Sequence, residues 1–362
     1  MDRIRTAVVG PGKVAHLHAA ALRALPESDF VAVCGRPSQR LGAFAARYGV
    51  PAFTDVGEMV ARARVQALCV CTPHPGHAAP AIAAARAGVH VLVEKPMASS
   101  LADCDAMMAA AEAGGAVLSV VSQRRFYPPC QRIRRAIDEG LLGRPVLGTA
   151  SILGWRDEAY YRSDPWRGSW AGEGGGVLVN QSPHQLDLLL WYMGEVAEVF
   201  GLWANLNHPY VEVDDTAVAV VRFRSGALGN IVVSNSQNPG ISARVCVHGA
   251  NGASAGVQTD GGSMFITGST RIGDPPFNDV WTVPGQEGLP ARWRQEDEAL
   301  FRDGDPMERF HRLQVADFLG AVLTGRPPAV TAADGRRTVE LFTAIYRAAR
   351  DGWPARLPLP AP

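Results

Sequence analysis

The chain has 362 residues, 47% of them hydrophobic and 19% charged, enough for two domains that each bury a core. Its 35 cations balance 35 anions, so nothing in the charge favours nucleic acid or an anionic membrane surface as a partner. No apolar run reaches the roughly 18–20 residues of a membrane span, and no signal-peptide pattern precedes the first strand, which points to a cytoplasmic protein.

Residues 4–9 read as a buried strand, followed by Gly10-Pro11-Gly12-Lys13-Val14-Ala15 and an alanine-rich helix to about residue 25. This is G-x-G-x-x-A in the strand–turn–helix setting that the motif requires. Gly10 makes the tight turn, Gly12 lets the backbone approach a pyrophosphate, and Ala15 allows close helix–strand packing. The helix N-terminus then faces the phosphates. Lys13 and Val14 complete the loop on the cofactor side, although Lys13 reads equally well as a surface cation.

The second strand, 30–34, runs into Gly35-Arg36-Pro37-Ser38-Gln39-Arg40. A carboxylate here would bind both ribose hydroxyls of NAD, and none is present. Arg36, Ser38 and Arg40 suit a 2′-phosphate, so the expected cofactor is NADP. The alternative is NAD, with the arginines merely solvated. Strand 67–71 leads into Thr72-Pro73-His74-Pro75-Gly76-His77 and a helix to residue 87. Strand 89–93, helix 101–113 and strand 116–121 follow. Strands alternating with helices predict a doubly wound parallel sheet with its ligand beyond the carboxyl ends of the strands. That puts Thr72, Pro73 and His77 on the cofactor side, with His74 at most lining it.

Only two of the cations are lysines, Lys13 and Lys95. Lys95 ends the run Val89-His90-Val91-Leu92-Val93-Glu94-Lys95-Pro96. An amine can give and take protons near neutral pH once burial lowers its pKa, which a guanidinium cannot. Lys95 is therefore the first candidate for chemistry. The six cysteines are scattered and form no metal-spaced set, so they read as reduced core thiols, and no metal is expected.

The G-x-G start, the Cys71-Thr72-Pro73 loop closed by His77, and Glu94-Lys95-Pro96 together resemble the Gfo/Idh/MocA family of nicotinamide-dependent oxidoreductases. The resemblance extends over nearly the whole chain. It implies an α/β architecture: a Rossmann domain (1–123), then an α/β substrate and oligomerisation domain (124–356) with a large, open, mostly antiparallel sheet, and a frayed tail (357–362). It also implies that Lys95 lies beside the nicotinamide and the substrate hydroxyl, that Glu94 and Lys95 both meet the cofactor, and that the Lys95–Pro96 bond is cis.

In the second half, a helix (128–139) and a strand (146–154) precede a stretch dense in Trp, Tyr and Arg from Trp155 to Trp170. Stacking against a sugar ring would account for it; a buried packing loop is the other reading. Relatives place a Trp-Arg pair such as Trp166-Arg167 against the nicotinamide half. Further on, Asn180-Gln181-Ser182-Pro183-His184 opens a helix, with Pro183 in its first turn. His184 then sits where the helix dipole disfavours imidazolium, leaving a neutral base. The family often carries aspartate where this chain has Asn180, so no carboxylate orients the histidine from that position. Asp187 either meets His184 or points into the helix packing. Strands are expected at 196–205, 214–223, 226–234 and 243–247, with a glycine-rich hairpin series at 249–262. Residues 270–305 read as irregular, and helices are expected at 307–324 and 332–351.

The expected activity is hydride transfer between NADP (alternatively NAD) and a secondary hydroxyl or ketone of a sugar, sugar derivative or cyclitol. Lys95 and His184 form the proton-transfer pair, with Arg124, Tyr160, Tyr161 and Asn180 as further substrate contacts. A homodimer or homotetramer is expected. The alternatives are redox-assisted glycoside cleavage with a retained dinucleotide, and a non-catalytic dinucleotide sensor.

Overall fold

A computed structural model of the chain describes residues 3–260 and 275–360. The chain divides into two units, one of residues 1–123 with 307–336 and one of residues 124–306 with 337–362. The stretch 307–336, which the sequence reading assigns to the second domain, groups with the first.

The first unit alternates strand and helix. It runs β1 (Ile4–Val9), α1 (Ala15–Ala24), β2 (Ser28–Cys34), α2 (Gln39–Tyr48), β3 (Ala52–Phe53), α3 (Val56–Ala63), β4 (Ala67–Val70), α4 (Ala78–Arg86), β5 (His90–Val93), α5 (Leu101–Gly114) and β6 (Leu118–Val120). Every pairing is parallel, in the order β3-β2-β1-β4-β5-β6. The order reverses between β1 and β4, which makes the loops after those two strands the flanks of the crevice where such sheets hold dinucleotides. Val8, Val33, Cys69 and Leu92 from the sheet join Ala19 and Leu22 of α1 in one buried cluster.

The second unit opens with α6 (Pro128–Asp138), β7 (Pro145–Leu153), α7 (Glu158–Arg162), α8 (Trp170–Glu173) and α9 (Pro183–Met193). It continues through β8 (Val196–Ala204), β9 (Thr216–Phe223), β10 (Leu228–Ser234), β11 (Ser242–Gly249), β12 (Ser254–Asp260), β13 (Phe277–Trp281) and α10 (Leu289–Arg302). In chain order α11 (Pro306–Thr324) follows, nearly all of it in the first unit, then α12 (Ala332–Asp351), which ends in the second, and β14 (Ala355–Arg356). The sheet has eight strands in the order β13-β12-β11-β7-β10-β9-β8-β14, antiparallel throughout except where β10 meets β7. Strict alternation along β9 buries Ala217, Ala219, Val221 and Phe223 and exposes Val218 and Val220, the period-2 signature of a sheet covered on one face. On the covered face α9 packs closely on β7: a Cβ on Gly148 would come within 2.6 Å of Met193.

α11 packs Val315, Phe318 and Leu319 into the same core as β1 and α1, and Gln314 holds β6 from both sides. Its Oε1 accepts from Ser122 N at 2.9 Å, and its Nε2 donates to Val120 O at 2.8 Å. Truncating Phe318 to alanine would remove about 3–5 kcal/mol of this packing.

Two expectations are corrected. Residues 270–305, read as irregular, contain β13 and α10, while 270–274 lie outside the described residues. The charged 289–302 segment gives a weak apolar period because few of its side chains, Asp297 and Phe301 among them, are buried. The proline-rich end was expected to fray from residue 357. Instead Leu357 N donates to Ala197 O at 3.0 Å, Leu359 N donates to Glu340 Oε1 at 2.8 Å, and the Leu359 side chain is buried. The pairing of β14 with β8 supplies the partner that a run of prolines cannot supply for itself. Residues 361–362, and 261–262 of the hairpin series, lie outside the described residues.

Candidate active site

In the first unit, Gly10 has φ +92°, and a Cβ there would come within 2.6 Å of Thr72 N, so only glycine fits between the β1 and β4 loops. Gly12 is different. A Cβ on it would meet only Cys71 O, at 3.7 Å, so space opens in front of it. The first turn of α1 has neither a capping side chain nor an acidic residue; Val14 stands at its cap. An uncapped helix start behind an open glycine cradle is the arrangement an anion requires, so the residues present fit a dinucleotide pyrophosphate. Lys13 is exposed beside it.

At the end of β2, Gly35 packs on the Pro11 ring, and Arg36, Ser38 and Arg40 are exposed. Ser38 caps α2: its Oγ accepts from Leu41 N at 3.2 Å and donates to Arg36 O at 3.2 Å. After β4, Thr72 Oγ1 donates to Gly76 O at 2.9 Å, and Pro73 is exposed. The His77 ring is buried between main-chain carbonyls, with Nδ1 3.0 Å from Pro96 O and Nε2 2.8 Å from Thr72 O. His74 is buried as well.

β5 delivers Glu94, Lys95 and Pro96 at its carboxyl end, and the Lys95–Pro96 peptide is cis. Glu94 is buried. Its Oε1 accepts from His18 Nε2 at 2.8 Å and lies 3.8 Å from His311 Nε2, while its Oε2 accepts from Lys95 N at 3.1 Å. Burial works to raise this carboxyl, but the hydrogen bonds and charge of His18 and His311 outweigh it and hold the group well below the usual range. His18, by contrast, is pushed down by its burial. The three donors lie within 4.8 Å of one another, a set that a metal could use. The 2.8 Å separation of carboxylate and imidazole suits a shared proton instead, because two donors on one zinc stand roughly 3.3 Å apart.

The sequence reading did not include His18 and His311. Their signal was available: His18 falls on the buried stripe Ala15-His18-Ala19-Leu22 of α1, and His311 on the stripe of Met307, Phe310, Gln314 and Val315 in α11. A polar ring on an apolar stripe needs a partner.

In the second unit, Asp157 caps α7, and Tyr160 and Tyr161 pack edge to face with ring centroids 5.2 Å apart, both buried. The Arg156 and Arg167 guanidinium groups lie 4.8 and 4.2 Å from the Tyr160 ring, and Arg167 also lies 4.4 Å from the Trp166 ring. The Tyr160 hydroxyl accepts from Arg167, from Asn180 Nδ2 at 3.2 Å and from Gln181 Nε2 at 3.0 Å. The Tyr161 hydroxyl accepts from Asn235 Nδ2 at 3.2 Å. Arg124 pairs with Asp260 at 2.8 Å. Tyr160 and Tyr161 are thus drawn inward into one hydrogen-bonded network through Gln181 and Asn235, while Trp170 stays exposed.

Asn180 donates to Glu173 as well as to Tyr160. Glu173 is buried, burial raises its carboxyl, and its Oε2 accepts from Gly168 N at 2.6 Å. A carboxylate therefore stands one hydrogen bond from residue 180, which explains the amide there: an aspartate would face Glu173 directly.

Gly176 has no room for a Cβ, which would sit 1.8 Å from Asp214 O. Asp214 fixes this corner by accepting from Gly176 N at 2.7 Å, Leu178 N at 3.1 Å and Tyr346 Oη at 2.6 Å. A single π-helical turn, Val177–Gln181, leads from it into α9, a rare element that often marks functional positions. Pro183 and His184 stand in the first turn of α9. One turn on, Asp187 is held bidentate by buried Arg125, at 2.8 and 2.6 Å, so it points into the helix packing.

The comparisons with known proteins agree with this architecture. Residues 4–122 match the model of an oxidoreductase family with an NAD-binding Rossmann fold, and residues 130–254 match the GFO/IDH/MocA C-terminal domain. The chain is 29% identical to a myo-inositol 2-dehydrogenase of Thermotoga maritima over 93% of this chain and 94% of that one. It is 26% identical to a scyllo-inositol 2-dehydrogenase (NAD(+)) of Bacillus subtilis over 98% and 96%. Among solved structures it resembles the WlbA dehydrogenase of Bordetella pertussis, determined with NADH and UDP-GlcNAcA, at 30% identity and a TM-score of 0.86 over 99% of both chains. A Rossmann unit with an open phosphate cradle, a second unit built on a mostly antiparallel sheet, and these matches place the chain in the Gfo/Idh/MocA family of nicotinamide-dependent oxidoreductases.

Proposed function

We propose that the protein transfers hydride between NADP and a secondary hydroxyl, or the corresponding ketone, of a sugar, sugar derivative or cyclitol, with Lys95 and His184 as its proton-transfer pair. The observation that carries the reading is the open Gly12 cradle in a sheet whose β5 ends on Lys95, one of only two lysines in the chain. The inositol dehydrogenases and the UDP-GlcNAcA complex among its relatives support the substrate class.

When bound, a nicotinamide dinucleotide supplies the hydride acceptor. In the oxidative direction His184 takes the hydroxyl proton as general base. Lys95 donates a hydrogen bond to the same oxygen and stabilises the negative charge that develops on it. Arg36 and Arg40, exposed at the end of β2 where no carboxylate follows the strand, favour a 2′-phosphate on the cofactor. Trp166 and Arg167 serve the nicotinamide half. Arg124, Tyr160, Tyr161 and Asn180 shape the substrate side, Tyr160 and Asn180 through the hydroxyl contact they share. The uncovered sheet face carrying Leu202, Val218, Val220 and Leu228 is the contact between copies in a homodimer or homotetramer.

The test is a titration of cofactor-stripped protein with NADP(H) and NAD(H), repeated on Arg36→Ala, followed by a screen of sugars and cyclitols for reduced-cofactor absorbance. NADP preference that collapses in the variant supports the reading. Tight NAD binding untouched by the variant replaces NADP by NAD, and an aglycone released without net reduced cofactor replaces oxidation by cleavage.

A further inference from the structure

The lysine at the end of β5 has its neighbours tied down on both sides by buried imidazoles. Before it, Glu94 is held by His18 of α1 and faced by His311 of α11; after it, the Pro96 carbonyl meets His77. Glu94, His18 and His311 are 6%, 1% and 3% exposed. His311 Nδ1 donates to Met307 O at 2.7 Å, since a carbonyl can only accept, and this turns Nε2 toward the carboxylate.

A buried carboxylate is poor material for stability alone, because well-packed apolar side chains usually do as well in its place. The choice of partners is informative too. The chain uses arginine for nearly every cation and pairs some buried carboxylates with it, as in Arg125–Asp187 and Arg132–Asp297. At Glu94 it uses an imidazole, as it does at buried Asp215, which lies 2.8 Å from His208 Nδ1. A guanidinium would cancel the charge permanently, whereas the neutral imidazole of His18 donates a hydrogen bond and leaves the charge in place.

We propose that Glu94 is a positioning residue for Lys95: seated by His18, its carboxylate anchors the Lys95 main chain and sets the charge on the Lys95 amine. This rests on the reading of Lys95 as a proton-transfer group. Glu94 Oε2 takes the Lys95 amide hydrogen, so the backbone that carries the amine cannot turn without breaking that bond. The negative charge one residue away favours ammonium over amine, against the opposing pull of burial and of a cationic nicotinamide ring. Other titratable groups that face this carboxylate are Cys69 of β4 and Cys71 just after it, whose thiols burial pushes up, and His77, which burial pushes down.

The scarcity of lysine makes the test direct. Reductive methylation with 13C-formaldehyde labels only Lys13, Lys95 and the α-amine, and Lys13→Arg and Lys95→Arg assign the signals. In Glu94→Gln, which keeps shape and acceptor but loses charge, the Lys95 signal should titrate about one pH unit lower than in the parent, while the Lys13 signal stays put. His18→Leu, which unseats the carboxylate, should move it in the same direction by less, and it serves if Glu94→Gln does not fold. A Lys95 titration unmoved in whichever variant is folded overturns the proposal. The two readings separate cleanly. An inactive Lys95→Ala with an unmoved Lys95 titration sinks only the role of Glu94, whereas a fully active Lys95→Ala sinks the catalytic reading and leaves the charge coupling standing.

Discussion

The end of β5 and the start of α9 present the two side chains proposed for proton transfer by different means. Lys95 follows a buried strand of a parallel sheet and is braced by a charged cluster, a carboxylate with buried imidazoles around it. His184 follows a glycine corner and one π-helical turn, whose uncharged Asn180 and Gln181 bond to the Tyr160 hydroxyl, with Glu173 and Arg167 as the charged partners one step further out. On the proposal above, the first arrangement alters the charge on its lysine. The second holds the turn that leads into α9 by hydrogen bonds.

The largest expected effect tests whether both ends carry chemistry. Lys95→Ala and His184→Asn should each lower kcat/KM by about 10²–10⁴-fold with cofactor affinity retained. Lys95→Arg should not rescue, because a guanidinium cannot give up its proton. A loss confined to one of the two would break the pairing.

Next comes the glycine corner. Gly176→Ala places a methyl against the Asp214 carbonyl and should cost about 3 kcal/mol in urea unfolding, with His184-dependent activity falling alongside it. A neutral outcome would show that the corner yields, and that the precision of His184 comes from the Asp187–Arg125 anchor instead.

Asn180→Asp sharpens the contrast between charged and uncharged bracing. It restores the acid that relatives often carry but sets it against buried Glu173, so it should destabilise the protein by about 1–3 kcal/mol, recovered by adding Glu173→Gln. Failure of the double variant to recover would mean that Tyr160, not Glu173, dictates the amide.

The smallest effect is on the acid side of β5. The Glu94 carboxyl lies below its unfolded value, so its contribution to stability is complete above about pH 5 and is lost as pH falls through the folded value. Glu94→Gln should therefore cost stability at neutral pH and little in strong acid. Urea midpoints across that range read the difference, and a gap that widens in acid would contradict the assignment.

Much of the first unit was legible because its rules are local. A glycine pair after a strand, an alternation of strand and helix, and a lone lysine after Val89–Val93 each announce themselves within a few residues. What escaped depends on contacts distant in sequence. Glu94 reads as a cofactor residue until His18 and His311, 76 residues before and more than 200 after it, converge on its carboxylate. Ser38 reads as a phosphate ligand until the amide of Leu41 claims it as a cap. In the second unit the amphipathic helices and alternating strands were visible in outline. The density of Trp, Tyr and Arg was ambiguous, since a ring that stacks on a sugar and one that packs on arginine have the same composition.

The return of α11 to the first core also fixes an order of events during synthesis. Residues 1–123 reach the ribosome exit first, yet the Val315, Phe318 and Leu319 that close their core are made roughly 190 residues later. At the usual pace of translation that is a wait on the order of ten seconds or more, with the back of β1 and α1 still uncovered. A fragment cut after Gln123 would share that exposure permanently. Any exchange of the nucleotide-binding half between relatives must carry 307–336 with it, as two pieces of gene that move together.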